Sequence, residues 1–241
     1  MKCLIIAAGQ GSRLQSLAAS KPLAPVAGRP LIEHVIRRAR AGGASDFIVV
    51  TGFAAAAVEA FVHAFAAAEG ISLACVRNEQ WPRPNGLSVV AAAPQLAGEF
   101  LLLMADHLFD PAVVAMLARE ESGAALTLAV DRGIDNPLID LDDATKVEVG
   151  EGGRIVRLGK ALARYNAIDV GLFRAGPSLV EAIRASVAAG GSGSLSEGVQ
   201  RLADAGEARA LDIGGRWWID VDDPRAHRIA EERFGGAEPI L

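Results

Sequence analysis

Two cations follow a glycine-broken loop near the start of the chain. The stretch "AAGQGSRL" runs from Ala7 to Leu14 and carries Arg13, and Lys21-Pro22 follows shortly after. Gly9 and Gly11 supply positive-φ freedom and let backbone N–H groups approach an anion closely. A guanidinium and an ammonium just beyond add charge that can follow the phosphates of a nucleotide. The same residues also describe a tight strand-to-helix turn with surface cations. Two familiar phosphate loops do not fit. A dinucleotide fingerprint needs a third glycine where Leu14 stands, and a Walker A loop needs Gly-Lys-Ser/Thr where the chain reads Leu14-Gln15-Ser16. The first mismatch excludes an oxidoreductase built on a dinucleotide loop.

Carboxylates form the second group. Asp106 ends "EFLLLMAD", the most apolar strand of the chain, where a charge is costly unless it stands at a functional edge. Asp220 and Asp222 share one face of a strand by their i, i+2 spacing, although such a cluster can also be a solvated turn. Asp110 and Asp223 are placed to cap helices. Asp169 lies inside the apolar run "AIDVGLF", an uncomfortable place for a purely structural carboxylate. Asn85-Gly86 is a strong turn signal. His34, His63 and His227 fall on predicted helices without metal-ligand spacing. Trp217 and Trp218 point to opposite faces of a strand, so at least one belongs to the core.

Positioning these groups requires strands that end along one edge. Apolar strands are predicted at "KCLIIAA", "DFIVVTG", "ISLACVRN", "EFLLLMAD" and "AALTLAVD". Helices alternate with them: from Pro30 to the Gly42-Gly43 stop, over the alanine-rich segment ending at Gly70, from near Gly86, and over "PAVVAMLAREE". Alternation over the first 130 residues implies a parallel sheet covered on both faces, with strand-end loops gathered on one edge. After Asp131 the texture changes to short strands and turns, with "KVEVGEGGRIVRL" reading as a hairpin around Gly150–Gly153. Residues 132–175 are therefore expected to form an antiparallel, lid-like insertion that covers the ligand, within a single domain over 1–241. Helices at about 177–189 and 194–205, strands at "ARALDIGG" and "RWWIDV", and a helix from Pro224 complete the chain.

Composition bounds the partners. The chain has 241 residues, 51% hydrophobic and 22% charged, with a net charge of −5. That balance argues against coating nucleic acid, which needs a Lys/Arg excess, and still permits a local nucleotide pocket. Cys3 and Cys75 sit in apolar runs and read as core thiols, not a disulfide framework. The N-terminus does not fit a signal peptide, and no apolar window is long enough for a membrane span. A cytoplasmic location is expected, with homo-oligomerisation left open.

Read together, "AAGQGSRL" and "KPL" resemble the signature of the nucleotidyltransferases that join an NTP to a phosphorylated sugar, polyol or alcohol. Ser12 fills the usual Thr/Ser position, and Ser20 stands where the family has proline before the lysine. "PNGLS", "MADH", "LGKALARYNAIDVGLF" and "WWIDVDDP" resemble, in order, the family's base-cradling, metal-binding, lid-plus-acceptor and second-metal segments. "VRNEQWPRPNGLS", "MADHLFDP", "DDATKVEV" and "IDVDDP" look most like the inositol-1-phosphate cytidylyltransferase branch. In that branch the domain is often fused to a membrane phosphotransferase, and a free-standing version is expected here. The resemblance implies a Rossmann-like α/β fold: a mixed, mainly parallel sheet of the nucleotide-diphospho-sugar transferase type with a small antiparallel lid.

The implied reaction is CTP plus an alcohol monophosphate giving a CDP-alcohol and pyrophosphate. The resemblance implies that Lys21 stabilises the transition state and Arg13 holds the leaving phosphates. It implies nucleotide contacts from Ala7, Ala8, Gly9, Gly11, Ser12, Asn78, Asn85, Gly86 and Ser88. Asp106, Asp222 and Asp220 would hold Mg²⁺, with Asp222 matching the family's second ligand better. Lys160 would bind the acceptor phosphate, Lys146 is a weaker candidate, and Asn166 and Asp169 would bond acceptor hydroxyls. Sugar-1-phosphate and phosphocholine remain alternative acceptors. Phosphocholine would favour an aromatic cage, for which Tyr165, the tryptophans and some phenylalanines are available. A non-catalytic nucleotide-binding regulator is disfavoured because Lys21 and the acidic residues are all present.

Overall fold

The computed structural model describes residues 1–14 and 17–235. Its organisation follows from the first apolar run, β1 (Lys2–Ala7). Side chains alternate across a strand. Cys3, Ile5 and Ala7 therefore join one hydrophobic cluster, and Leu4, Ile6 and Ala8 join another. A strand buried on both faces needs helices on both faces.

The elements that follow supply them. In chain order they are β2 (Pro25–Val26), β3 (Arg29–Pro30), α1 (Leu31–Ala41), β4 (Asp46–Thr51), α2 (Ala55–Glu69), β5 (Ser72–Arg77), α3 (Gly86–Ala92) and β6 (Phe100–Met104). Next come β7 (His107–Phe109), α4 (Pro111–Ala118), β8 (Leu126–Asp131), β9 (Lys146–Val149), β10 (Ile155–Gly159) and β11 (Ala167–Ala175). The chain continues through α5 (Pro177–Ala188), α6 (Leu195–Asp204), β12 (Ala208–Asp212), β13 (Trp218–Asp220) and α7 (Pro224–Gly235). Val35, Val58, Val113 and Ala230 bring α1, α2, α4 and α7 to the first cluster. Val89, Ile183 and Val199 bring α3, α5 and α6 to the second.

The sheet runs β10-β9-β11-β6-β1-β4-β5, and β8 joins it by pairing with β11 and β12. Strands β6, β1, β4 and β5 are parallel neighbours. Strand β11 is antiparallel to β6, β8 and β9. The expected hairpin forms, as β9 and β10, and it extends the edge of the central sheet instead of making a separate layer. Among the described residues no helix is long and apolar enough to cross a membrane.

Outside this sheet, β7 and β13 form a two-stranded ribbon that pairs His107 with Asp220. The strand expected to carry both late aspartates ends at Asp220, so Asp222 lies just beyond it. Asp110 and Asp223 cap α4 and α7 as expected, accepting from Ala112 N at 2.8 Å and Ala226 N at 2.7 Å.

Candidate active site

After β1 the chain turns through Gly9 and Gly11 into a short 3-10 turn, Ser12–Leu14. Leu14 is 1% exposed. Its burial stabilises the fold by about 1.5–3 kcal/mol and anchors the far side of the loop next to Arg13. Gly11 has a φ of +60°, and a Cβ there would overlap the Lys21 side chain. Glycine thus lets Lys21 run beneath the loop, and Lys21 is itself only 7% exposed.

The acidic side is built by the neighbouring strand. Ala105 N donates to Ile6 O at 3.1 Å, which carries the β1–β6 pairing one step further and sets Asp106 beside the glycine loop. Val221 N donates to Asp106 O at 2.9 Å, docking the 220–222 segment on the same spot. Lys21 Nζ then lies 2.7 Å from Asp106 Oδ2 and 3.7 Å from Asp220 Oδ1, and it also donates to Asp222. Arg13 donates to Asp222 and, at 2.5 Å, to Asp143. Lys160 donates to Asp143 from the turn after β10. Three cations and four carboxylates thereby form one network along a cavity of about 360 Å³.

The electrostatics are strongly perturbed. Burial works to raise the Asp106 pKa, but the Lys21 ammonium and His107 outweigh it and hold the carboxyl far below its usual range. Burial raises the Asp220 pKa, with the nearby Asp106 charge adding to the effect against His107 and Lys21. One Asp220 oxygen, Oδ1, is buried without a hydrogen-bond partner, while the side chain as a whole is 41% exposed to the cavity. Burial opposes protonation of His107, yet Asp220 and Asp106 raise its pKa to about 9. Burial lifts Asp169 to about 6, against the hydrogen bond it accepts from Gly171 N. Lys160 holds Asp143 below the carboxylate range.

The cavity collects Arg13, Lys21, Asp106, Asp220, Asp222 and Lys160. Asn85 and Asp169 also line it. Other predicted residues are placed around it. Ala7 and Ala8 are buried at the end of β1, while Gly9 and Ser12 are exposed on the loop rim. Gly86 and Ser88 are buried in the first turn of α3. Asn78 is buried, its Nδ2 donates to Ser88 Oγ at 3.1 Å, and its Oδ1 accepts from Gln80 N at 2.9 Å. That amide fastens α3 to the exit of β5. Both ends of the Asn166 amide bond the Val149 backbone, at 2.8 and 2.9 Å. Lys146 donates to Lys160 O at 2.7 Å and rests over the Tyr165 ring, which makes it a brace for the lid lysine.

Two site residues were not singled out from the sequence. Asp143 is one of several aspartates in "DLDDAT", and nothing in that run says which one faces the cations. His107 follows Asp106 directly, but its place between two carboxylates comes from the β7–β13 register, which links residues far apart in the chain.

A strand-ending glycine loop, a buried lysine and converging aspartates thus meet at one edge of a doubly covered sheet. The chain belongs to the family described as the MobA-like NTP transferase domain, whose model matches residues 3–151. It is 38% identical over 236 residues to a "Bifunctional IPC transferase and DIPP synthase" from Rubrobacter xylanophilus, covering 96% of this chain and 51% of that protein. A protein of the same name from Aquifex aeolicus is 31% identical over 92% of this chain and 49% of its own length. The chain thus spans about half the length of these curated relatives. The inositol-1-phosphate CTP transferase structure from T. maritima superposes with a TM-score of 0.84 at 24% identity, covering 99% of this chain and 98% of that one. That likeness establishes a shared fold.

Proposed function

We propose that this chain transfers a cytidylyl group from CTP to a phosphorylated polyol, inositol-1-phosphate, and releases pyrophosphate. The carrying observation is the convergence of Arg13, Lys21 and Lys160 on one cavity, each neutralised by a carboxylate whose place a phosphate can take. The curated relatives named IPC transferase support the choice of base and acceptor.

The acceptor phosphate is already an anion near neutral pH, so no activated serine or cysteine is required. Its oxygen attacks the α-phosphorus in line as pyrophosphate leaves. Lys21, fixed beneath Gly11, is set to neutralise charge that develops at the α-phosphorus. Arg13 holds the departing β- and γ-phosphates, and Lys160 holds the acceptor phosphate. Asp169 faces the cavity and offers an oxygen to acceptor hydroxyls. The residues fit a divalent cation: Asp220 Oδ1 is a buried carboxylate oxygen without a partner, and it converges with Asp106. Asp106 and Asp220 would hold Mg²⁺, with Asp222 adjoining. When bound, the cation supplies further charge neutralisation on the transferred phosphoryl group.

A second acceptor class is favoured by one observation. Asp140, Asp143 and Asp169 all line the cavity, which suits an acceptor carrying an ammonium. A relative named CMP-5'-(3-aminopropyl)phosphonate synthase, from Streptomyces rubellomurinus, is 30% identical over 97% of this chain and 39% of its own length.

The test is pyrophosphate release with Mg²⁺, crossing the four common NTPs with inositol-1-phosphate, glucose-1-phosphate, phosphocholine and an aminoalkylphosphonate. Release with CTP and inositol-1-phosphate is expected. Release with CTP and an amino acceptor supports the second reading. Release with no pair contradicts both.

A further inference from the structure

His107 takes no part in the chemistry above, yet it is clamped on every side by site residues. Its Nδ1 lies 2.7 Å from Asp106 Oδ1 and 3.8 Å from Asp220 Oδ1. Its ring stacks on Trp218, with centroids 6.1 Å apart and planes at 16°. Trp218 is in turn fixed by its Nε1–H donating to the buried Asp131 at 2.9 Å. The remaining side of the ring meets Gly171. A Cβ on that residue would fall 2.5 Å from His107 Cδ2 and 2.7 Å from Nε2.

Gly171 is unusual in its own right. It has a φ of +77° inside β11, and the pairing of β11 with β8 shifts register between Asp169 and Phe173. A positive φ within a strand needs glycine, and a bulge re-aims the strand locally. The bulge thus opens the space that the imidazole fills. Its Gly171 N–H also donates to Asp169 at 2.7 Å.

We infer that His107 is a positioning residue. Its Nδ1–H fixes Asp106 Oδ1, which turns Oδ2 toward Lys21 and the cation position, and the Gly171 bulge exists to admit its ring. This role rests on the nucleotidyltransferase reading. It also ties the strand bearing Asp169 to the carboxylates on the far side of the cavity. The imidazole is not itself a cation ligand here. Magnesium prefers oxygen donors, and Nδ1 is already committed to Asp106. Partners that orient a ligating carboxylate typically change metal affinity or activity 10- to 100-fold when removed, by the order of magnitude known for such groups.

The experiment uses the full chain with Mn²⁺ as the probe, its binding followed by electron paramagnetic resonance in the presence of CTP. His107→Phe keeps a ring for Trp218 to stack on but cannot donate to Asp106. It is expected to bind Mn²⁺ about 10- to 100-fold more weakly, with CTP binding in metal-free buffer unchanged. His107→Asn places an amide N–H near the Nδ1 position and is expected to retain most of the affinity. Gly171→Ala displaces the ring and is expected to follow His107→Phe. Spin-echo spectra of the wild-type chain should show no directly coordinated ¹⁴N from imidazole, a readout that needs no variant to fold. Unchanged Mn²⁺ affinity in His107→Phe, an Asn variant as weak as the Phe variant, or a coordinated ¹⁴N each overturns the inference. Those results leave wild-type pyrophosphate release untouched, so they are separable from failure of the underlying reading.

Discussion

Gly11 and Lys21 pack so closely that any side chain at residue 11 would overlap the lysine stem, and Gly11 holds a φ of +60°. The glycine loop and the lysine are therefore one device. Gly11→Ala is expected to displace Lys21 and to strain the backbone, at a cost of about 1–3 kcal/mol. Pyrophosphate release should fall at least about tenfold, since 1.4 kcal/mol of lost transition-state stabilisation is already a factor of ten. Wild-type turnover together with a wild-type melting temperature would contradict this.

Lys21→Ala removes the cation while leaving the loop intact. Turnover is expected to fall about 10²–10³-fold, the usual loss for one preorganised charge-stabilising group. CTP should still bind, because Arg13 and the loop backbone remain. Steady-state kinetics beside calorimetric CTP binding separates these effects. Parallel loss of binding and turnover would make Lys21 a general anchor instead.

Asp220→Asn tests the orphaned oxygen. An amide is a poorer cation ligand than a carboxylate, so the Mg²⁺ concentration for half-maximal rate should rise about tenfold or more. The rate at saturating Mg²⁺ should be less affected. Titrating Mg²⁺ against initial rate reads the shift, and an unchanged midpoint would remove Asp220 from the cation site.

Glu197 gives a pH-dependent prediction away from the cations. It accepts from Ser186 Oγ, Ser192 Oγ, Ser192 N and Gly193 N, and these bonds lower its pKa from 4.5 to about 2. A depressed acid contributes stability above its unfolded pKa and loses it as pH falls through the folded value. Wild type should therefore melt above Glu197→Gln at pH 7, with the gap shrinking below about pH 4.5. A gap constant down to pH 3 would contradict it. The loop it braces matters to the site, since Leu195 N donates to Asn85 at 3.1 Å and Gly193 O abuts Gly86.

How much of this was legible in the sequence depends on the range of each signal. Local alternation in "KCLIIA" and helical spacing in "LIEHVIRRARA" locate β1 and α1, because burial periodicity is written within a few residues. Arg13, Lys21 and Asp106 were legible because glycines, cations and a charge closing an apolar strand stand out in short windows. Asn78 and Asn166 were less legible for a physical reason. An amide serves equally well to pin backbone or to read a base, and only the fold shows what it faces. His107 and Asp143 stayed hidden because their roles depend on pairings across 113 and 130 residues of chain, His107 with Asp220 and Asp143 with Arg13 (220 − 107 and 143 − 13).

The central claim is in-line attack by an acceptor phosphate oxygen on the α-phosphorus of CTP. The most direct measurement is ³¹P NMR and mass analysis of a reaction run with inositol-1-phosphate labelled by ¹⁸O in its terminal phosphate oxygens. The account predicts that all label stays in the CDP-alcohol, including its bridging oxygen, and that the pyrophosphate is unlabelled. Label in the released phosphates, or CMP as the nucleotide product without a new phosphoanhydride, would contradict it.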